Sequence, residues 1–148
     1  MKLFNYIMYL FKHKWYVFLE CKKRGIIWRG ITHDLSKFFP CEFFPYMEKW
    51  YGSTKRHSGY RGACLHHYNH NTHHWQYWVF ISPEGKLESL EMPEIDRKEM
   101  IADWVGMART LGKEPSAIDW YERNKDKILL HKETRRKIEE EIGYGRIS

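Results

Sequence analysis

Nine histidines are spread unevenly over the 148 residues. The one with the most to say stands beside an acid, in Ile31-Thr32-His33-Asp34-Leu35-Ser36-Lys37-Phe38. An imidazole next to a carboxylate, with an ammonium three residues on, lies in a run that is otherwise apolar or small. Such a cluster is costly to bury unless a metal or a bound anion compensates it. On a helix Asp34 and Lys37 share a face and His33 lies at its rim, so an ion held by His33 and Asp34 would be within reach of an anion that Lys37 also touches. The tract Ala63 to Phe80 adds His66, His67, His70, His73 and His74, five histidines in nine positions. If it stays helical, His66, His70 and His73 share one face, or His67, His70 and His74 do. Spaced imidazoles on one face are what a transition metal requires; the competing reading is a solvated polar face.

These side chains need helices to bring them together, and the hydrophobic periodicity supplies them. Residues 2 to 23 read as a first helix with the stripe Tyr6, Leu10, His13, Val17, closed by Gly25 behind three cations. His13 is thereby an imidazole in a core-facing stripe, either a metal ligand or a buried histidine bonded to a carbonyl. Residues 26 to 38 read as a second helix that carries His33 and Asp34 and stops at Phe39-Pro40. A third spans 41 to 51, with Glu42 in its first turn as a dipole partner or as support for a ligand histidine. A fourth spans 63 to about 80, with a weak point at residues 69 to 72. A loop over 82 to 93 leads to a fifth helix ending near Leu111, where Asp103 falls beside Met100, Trp104 and Met107. An acid bordering a core face wants a cation or a metal, with Arg109 the competing partner. Ser116 caps a sixth helix, and a last one runs from about Lys132 to Ile142. The expectation is an all-α fold, a single helical bundle of six or seven helices over residues 1–148, with the metal-site core at about 9–108 and the C-terminal helices at 116–143 packing on it.

The net charge of +6 favours small anionic partners such as nucleotides or phosphate esters; nucleic acid is the less favoured partner because the cations are scattered. The loop from Gly52 to Gly62 contributes Lys55, Arg56 and Arg61 as candidate phosphate contacts, and it lacks the spacing of a Walker-type cradle. Cys21, Cys41 and Cys64 form no C-x-x-C pair and read as reduced thiols of a cytoplasmic protein. The apolar run Leu3 to Phe11 is too short for a membrane span and is followed by no cleavage site, so neither a signal peptide nor a membrane partner is expected. A homo-oligomer is compatible with all of this.

Taken in chain order, His13, His33-Asp34, the 66-to-74 cluster and Asp103 resemble the HD-domain superfamily, all-helical metalloproteins named for an adjacent His-Asp pair. The His-Asp-Leu-Ser-Lys-Phe segment, and Asn71 or Asn69 with His73 and His74, are also similar to the His-Asp-Leu-Ser-Lys-Phe and Asn-x-x-His-His segments of a short uncharacterised bacterial and phage family within or near that superfamily. The resemblance implies that His13, His33, Asp34 and Asp103 hold one metal and that some of His66, His70, His73 and His74 hold a second. The His-Asp-x-x-Lys form implies that Lys37 contacts phosphate and that Asp34 and Lys37 act in catalysis. The implied function is a phosphohydrolase using a divalent transition metal (Mn, Fe, Co, Ni or Zn, one or two ions) and a metal-activated water. Its alternatives are an HD-type di-iron oxygenase and a non-catalytic nucleotide- or partner-binding protein. The Gly-Tyr-Pro signature of the cyclic-dinucleotide branch is absent, which argues against that substrate.

Overall fold

The computed structural model describes residues 1–52 and 59–145. Among these the fold is all-α, with seven helices: α1 (Lys2–Lys23), α2 (Ile27–Thr32), α3 (Pro40–Tyr51), α4 (Tyr60–His70), α5 (Glu94–Thr110), α6 (Ala117–Asn124) and α7 (Lys132–Ile142). Two 3₁₀ turns, Leu35–Phe38 and Trp75–Trp78, join them, with an antiparallel hairpin of β1 (Val79–Ile81) and β2 (Leu87–Ser89). None of these helices is long and apolar enough to cross a membrane.

Helix α1 is the spine. Its inward stripe of Tyr6, Leu10, His13 and Val17 is buried, as the sequence periodicity predicts. It crosses α5 closely because Gly106 offers no side chain: a Cβ there would stand 2.6 Å from Val17 Cγ2 and 2.9 Å from its backbone nitrogen. Gly30 does the same for α2, where a Cβ would lie 2.9 Å from both Phe18 Cα and Cys21 Cβ. Helices α6 and α7 close over the other side of α5, with Trp104 stacked on Trp120 at 4.1 Å and Tyr121 and Ile138 fully buried. Ser116 caps α6 through the Asp119 amide, and Gly143 ends α7 in the left-handed region.

The core divides into apolar clusters at the two ends of the bundle and along the α1–α5 seam. Between them the interior is polar, with His13, His33, Asp34, Glu42, His67, His73 and Glu99 all buried. Hydrophobic burial cannot hold that region, so its stability depends on how well the charges there are compensated.

Two elements differ from expectation. The helix read over 26–38 is broken: α2 ends at Thr32, and Asp34 is in the left-handed conformation at φ 53, the one positive-φ residue other than glycine among those described. Aspartate tolerates this region better than most residues, and the turn aims its carboxylate inward. The helix expected over 63–80 ends at His70, where Asn71 turns extended and donates back to the His67 carbonyl at 2.7 Å. Val79–Ile81 then pairs as a strand, inside what read as helix and loop.

Candidate metal centre

Four elements deliver the donor atoms. His13 comes from α1, His33 and Asp34 from the break after α2, His67 from α4 with His73 and His74 just beyond it, and Asp103 from α5. They fall into two sets. In the first, His13 Nε2 lies 3.1 Å from Asp103 Oδ1, 3.4 Å from His33 Nε2 and 3.7 Å from Asp34 Oδ2. His33 Nε2 is 3.3 Å from Asp34 Oδ2 and 3.6 Å from Asp103 Oδ1. In the second, the other Asp34 oxygen, Oδ1, is 3.4 Å from both His67 Nε2 and His73 Nε2, and His74 Nε2 stands 2.8 Å from His67 Nε2. Neighbouring ligands of an ion bound at about 2.1 Å are separated by roughly 3.0–3.4 Å, so both sets have the spacing of a coordination sphere.

The surrounding hydrogen bonds decide which ring nitrogens face inward. Glu99 takes His33 Nδ1 at 2.9 Å and lies 3.2 Å from His73 Nδ1. Glu42, wholly buried, takes His67 Nδ1 at 2.8 Å and is itself bonded by Ser36 Oγ at 3.0 Å. With the Nδ1 of His33, His67 and His73 each against a carboxylate, the Nε2 of each ring, when neutral, presents a lone pair to the centre, whereas His13 Nδ1 is buried without a partner. Lone pairs aimed at each other and at carboxylate oxygens repel unless a positive charge lies between them. Consistent with that need, Asp34 Oδ1, Asp103 Oδ1 and His73 Nε2 are buried without a hydrogen bond, while Asp34 Oδ2 has the Lys37 ammonium beside it. The residues therefore fit a metal, and these buried His/Asp groups could hold an ion.

The electrostatics point the same way. Burial alone would raise the Asp34 and Asp103 carboxyls, but the imidazoles around them, and Lys37 beside Asp34, hold both well below the usual carboxylate range. Burial works against a charge on His33, yet Asp34, Asp103 and Glu99 push its pKa well above the ordinary value. His74, half-buried and desolvated beside His73 and His67, is pushed the other way and kept neutral. The centre thus attracts positive charge, delivered by protons or by a metal.

Lys37 reaches Asp34 Oδ2 at 2.5 Å, although the two are related through a left-handed turn and a 3₁₀ turn and not through one α-helical face. Lys37, His67, His74 and Asp103 also stand on the wall of a cavity of about 530 Å³. The rest of that wall is largely aromatic: Tyr6, Tyr9, Tyr46, Trp50, Tyr51 and Tyr68, with Met107 and Leu111. A planar or apolar group would find stacking surface there, next to the donor sets.

Not every residue singled out in the sequence arrives at the centre. His66 is bonded to Glu42 Oε1 at 2.6 Å, and His70 is exposed with its Nδ1 on the His66 carbonyl; neither belongs to the donor sets. Arg61 is exposed in the first turn of α4 and does not line the cavity, while Lys55 and Arg56 lie outside the described residues. Trp75 and Trp78 pack against the C-terminal core. Asp103 does not pair with Arg109, which lies 3.3 Å from Glu20. Conversely, His67 and Glu99 carry more than the sequence reading assigned. Their signals were present: Ala63 and His67 are the buried i, i+4 pair of α4, and Asp96, Glu99 and Asp103 recur at i, i+3, i+7 on one side of α5.

The chain belongs to the DUF5662 family, described as a family of unknown function, whose model matches residues 2–144. No curated protein and no solved structure matches it.

Proposed function

We propose that this family member is a metal-dependent phosphohydrolase of the HD type, acting on a nucleotide or another small phosphate ester. The observation that carries the reading is the sharing of Asp34: one oxygen faces each donor set, and Lys37 stands beside it on the wall of the aromatic cavity. His13, His33, Asp34 and Asp103 would hold a divalent ion, which would lower the pKa of a bound water and polarise a phosphoryl oxygen. The mixed imidazole and carboxylate donors suit Mn, Fe, Co, Ni or Zn better than Mg. Lys37 supplies a fixed ammonium for the phosphate oxygens, in a setting where little solvent dilutes its charge. Glu99 and Glu42 hold the histidine rings so that no reorganisation is needed when substrate arrives. The cavity walls exclude water and present ring faces to the non-reacting part of the ester.

The second donor set, with three histidines, also favours an oxygenase reading in which a pair of irons is obligatory. One experiment separates the readings. Untagged protein is subjected to elemental analysis, then screened against nucleotides and phosphate esters with each metal, and in parallel reduced with iron and monitored for oxygen consumption. Phosphate release that is lost in Asp34→Asn and Lys37→Met supports the hydrolase. Oxygen uptake without phosphate release overturns it in favour of the oxygenase, and purification without metal and without either activity overturns both in favour of a binding protein.

A further inference from the structure

Helix α1 is apolar on two sides, and the bundle uses only one of them. Tyr6, Leu10, His13 and Val17 are buried, while Phe4, Met8, Phe11 and Trp15 are 67%, 51%, 57% and 58% exposed. The second stripe repeats the first with an offset of two positions, which places it about 200° around the helix. It continues onto the 3₁₀ turn. Leu35 and Phe38, three residues apart and so on one side of such a turn, are 48% and 39% exposed, and the Phe38 ring lies 6.1 Å from that of Phe11. Trp15 is steadied from within by stacking on Phe18 at 5.7 Å.

The size and composition of this face identify what covers it. At roughly 200 Å² for a large side chain, half of it exposed, the six residues present on the order of 600–700 Å². The largest apolar patch of an ordinary monomer is about 300–600 Å², and each side of a standard interface contributes about 800 Å². The patch exceeds the first range and is of the same order as the second figure. Its composition is that of an interface core, aromatic residues with Met and Leu and no charge among them. We propose that this face binds a second copy of the chain, with two α1 helices packed antiparallel across a two-fold axis. A two-fold contact brings the same surface together with itself, and an uncharged apolar stripe is complementary to its own copy. Lys12 and Lys22, both exposed, flank the stripe and fall at the rim of the pair. Like charges there oppose pairing in dilute salt and are screened as salt rises. The contact covers the back of the helix whose inner side carries His13, and it does not depend on what the centre binds.

Sedimentation equilibrium of the full-length protein across the micromolar range tests this. The expected result is a monomer–dimer equilibrium that tightens with added sodium chloride, and that Phe11→Glu with Trp15→Glu shifts to monomer with the helical circular-dichroism spectrum and the metal content unchanged. Should that variant fail to fold, Met8→Cys in a Cys41→Ser background keeps the question open to measurement, since it joins two chains by an inter-chain disulfide if the stripes meet. A monomeric wild type, a dimer that survives the double substitution, or no inter-chain disulfide overturns the proposal. So does a monomer that floats with phosphatidylserine vesicles and is released by salt, a result that would assign the face to an anionic membrane surface.

Discussion

Replacing Asp34 with asparagine removes a charge and leaves the backbone alone, because Asn tolerates φ near 53 as readily as Asp does. Two consequences can be sized. Without metal, Lys37, whose side chain is 13% exposed, loses the carboxylate 2.5 Å away and becomes an uncompensated buried cation. Breaking a buried pair in this way costs about 3–5 kcal/mol. In a chain of this length about 1 kcal/mol moves the melting temperature by roughly 2–4 °C, so the metal-free variant should melt about 10 °C below the wild type. With metal, the wild type at a thousandfold excess over its dissociation constant gains about 4 kcal/mol, roughly 8–16 °C. The variant should gain little of this, since both donor sets lose a charged ligand at once. Thermal melts followed by circular dichroism, with EDTA or with Mn, Fe, Co or Zn, and metal analysis of the dialysed proteins read both effects. If Asp34→Asn keeps the wild-type metal complement and the same metal-induced rise in melting temperature, Asp34 is not a shared ligand and the reasoning fails.

Four further outcomes follow from the same geometry. Glu99→Gln should weaken metal binding by about 10–100-fold while leaving the stoichiometry at saturation intact, because Glu99 orients His33 and His73 without being a donor itself; competition titration with a chromophoric chelator measures this. Metal affinity should fall as pH drops from neutral toward 5. The folded protein holds protons on His33 and His73 more tightly than a free imidazole would, and a metal must displace them, so isothermal titration in buffers of different ionisation enthalpy should detect proton release on binding. The metal-free protein, in turn, should lose stability below about pH 4. Burial opposes ionisation of Asp34, Glu99 and Asp103, but their imidazole neighbours keep the folded-state pKa values low, so the unfolded chain binds more protons in acid. Gly106→Ala should destabilise by roughly 1–3 kcal/mol and loosen the metal centre, because the added methyl meets Val17 at the crossing that sets His13 against Asp103; a denaturant melt and a metal titration report the two effects separately.

Much of the fold was legible where one principle acts alone. The ends of α1, α5, α6 and α7 follow from apolar periodicity and from Gly25, Gly112, Ser116 and Gly143, and the structure places them within a residue or two of the reading. The break at Asp34 was not legible, because Ile31-Thr32-His33-Asp34 holds no proline or glycine and the low helix propensities of Thr, His and Asp are too weak to end a helix by themselves. The chain leaves the helix there for a tertiary reason, the burial of a carboxylate between imidazoles from three other segments. Which of the crowded histidines point inward was likewise open, since it depends on where α4 stops. Asn71 ends it one residue after His70, so His73 and His74 return from the turn beyond it and not from a helical face. Val79–Ile81 is too short an apolar run for its period to distinguish strand from helix.

One carboxylate serving two neighbourhoods makes position 34 a single point of failure. Drift at His13 or at His67 would cripple one half of the centre and leave the other to be refined on its own, a reversible loss in evolutionary terms. Any exchange at residue 34 removes both halves together and forfeits the turn that aims them unless the newcomer also accepts a left-handed backbone. Dissecting the two halves in the laboratory must therefore begin at the histidines, and a family member without Asp at this place is expected to bind no metal in either half.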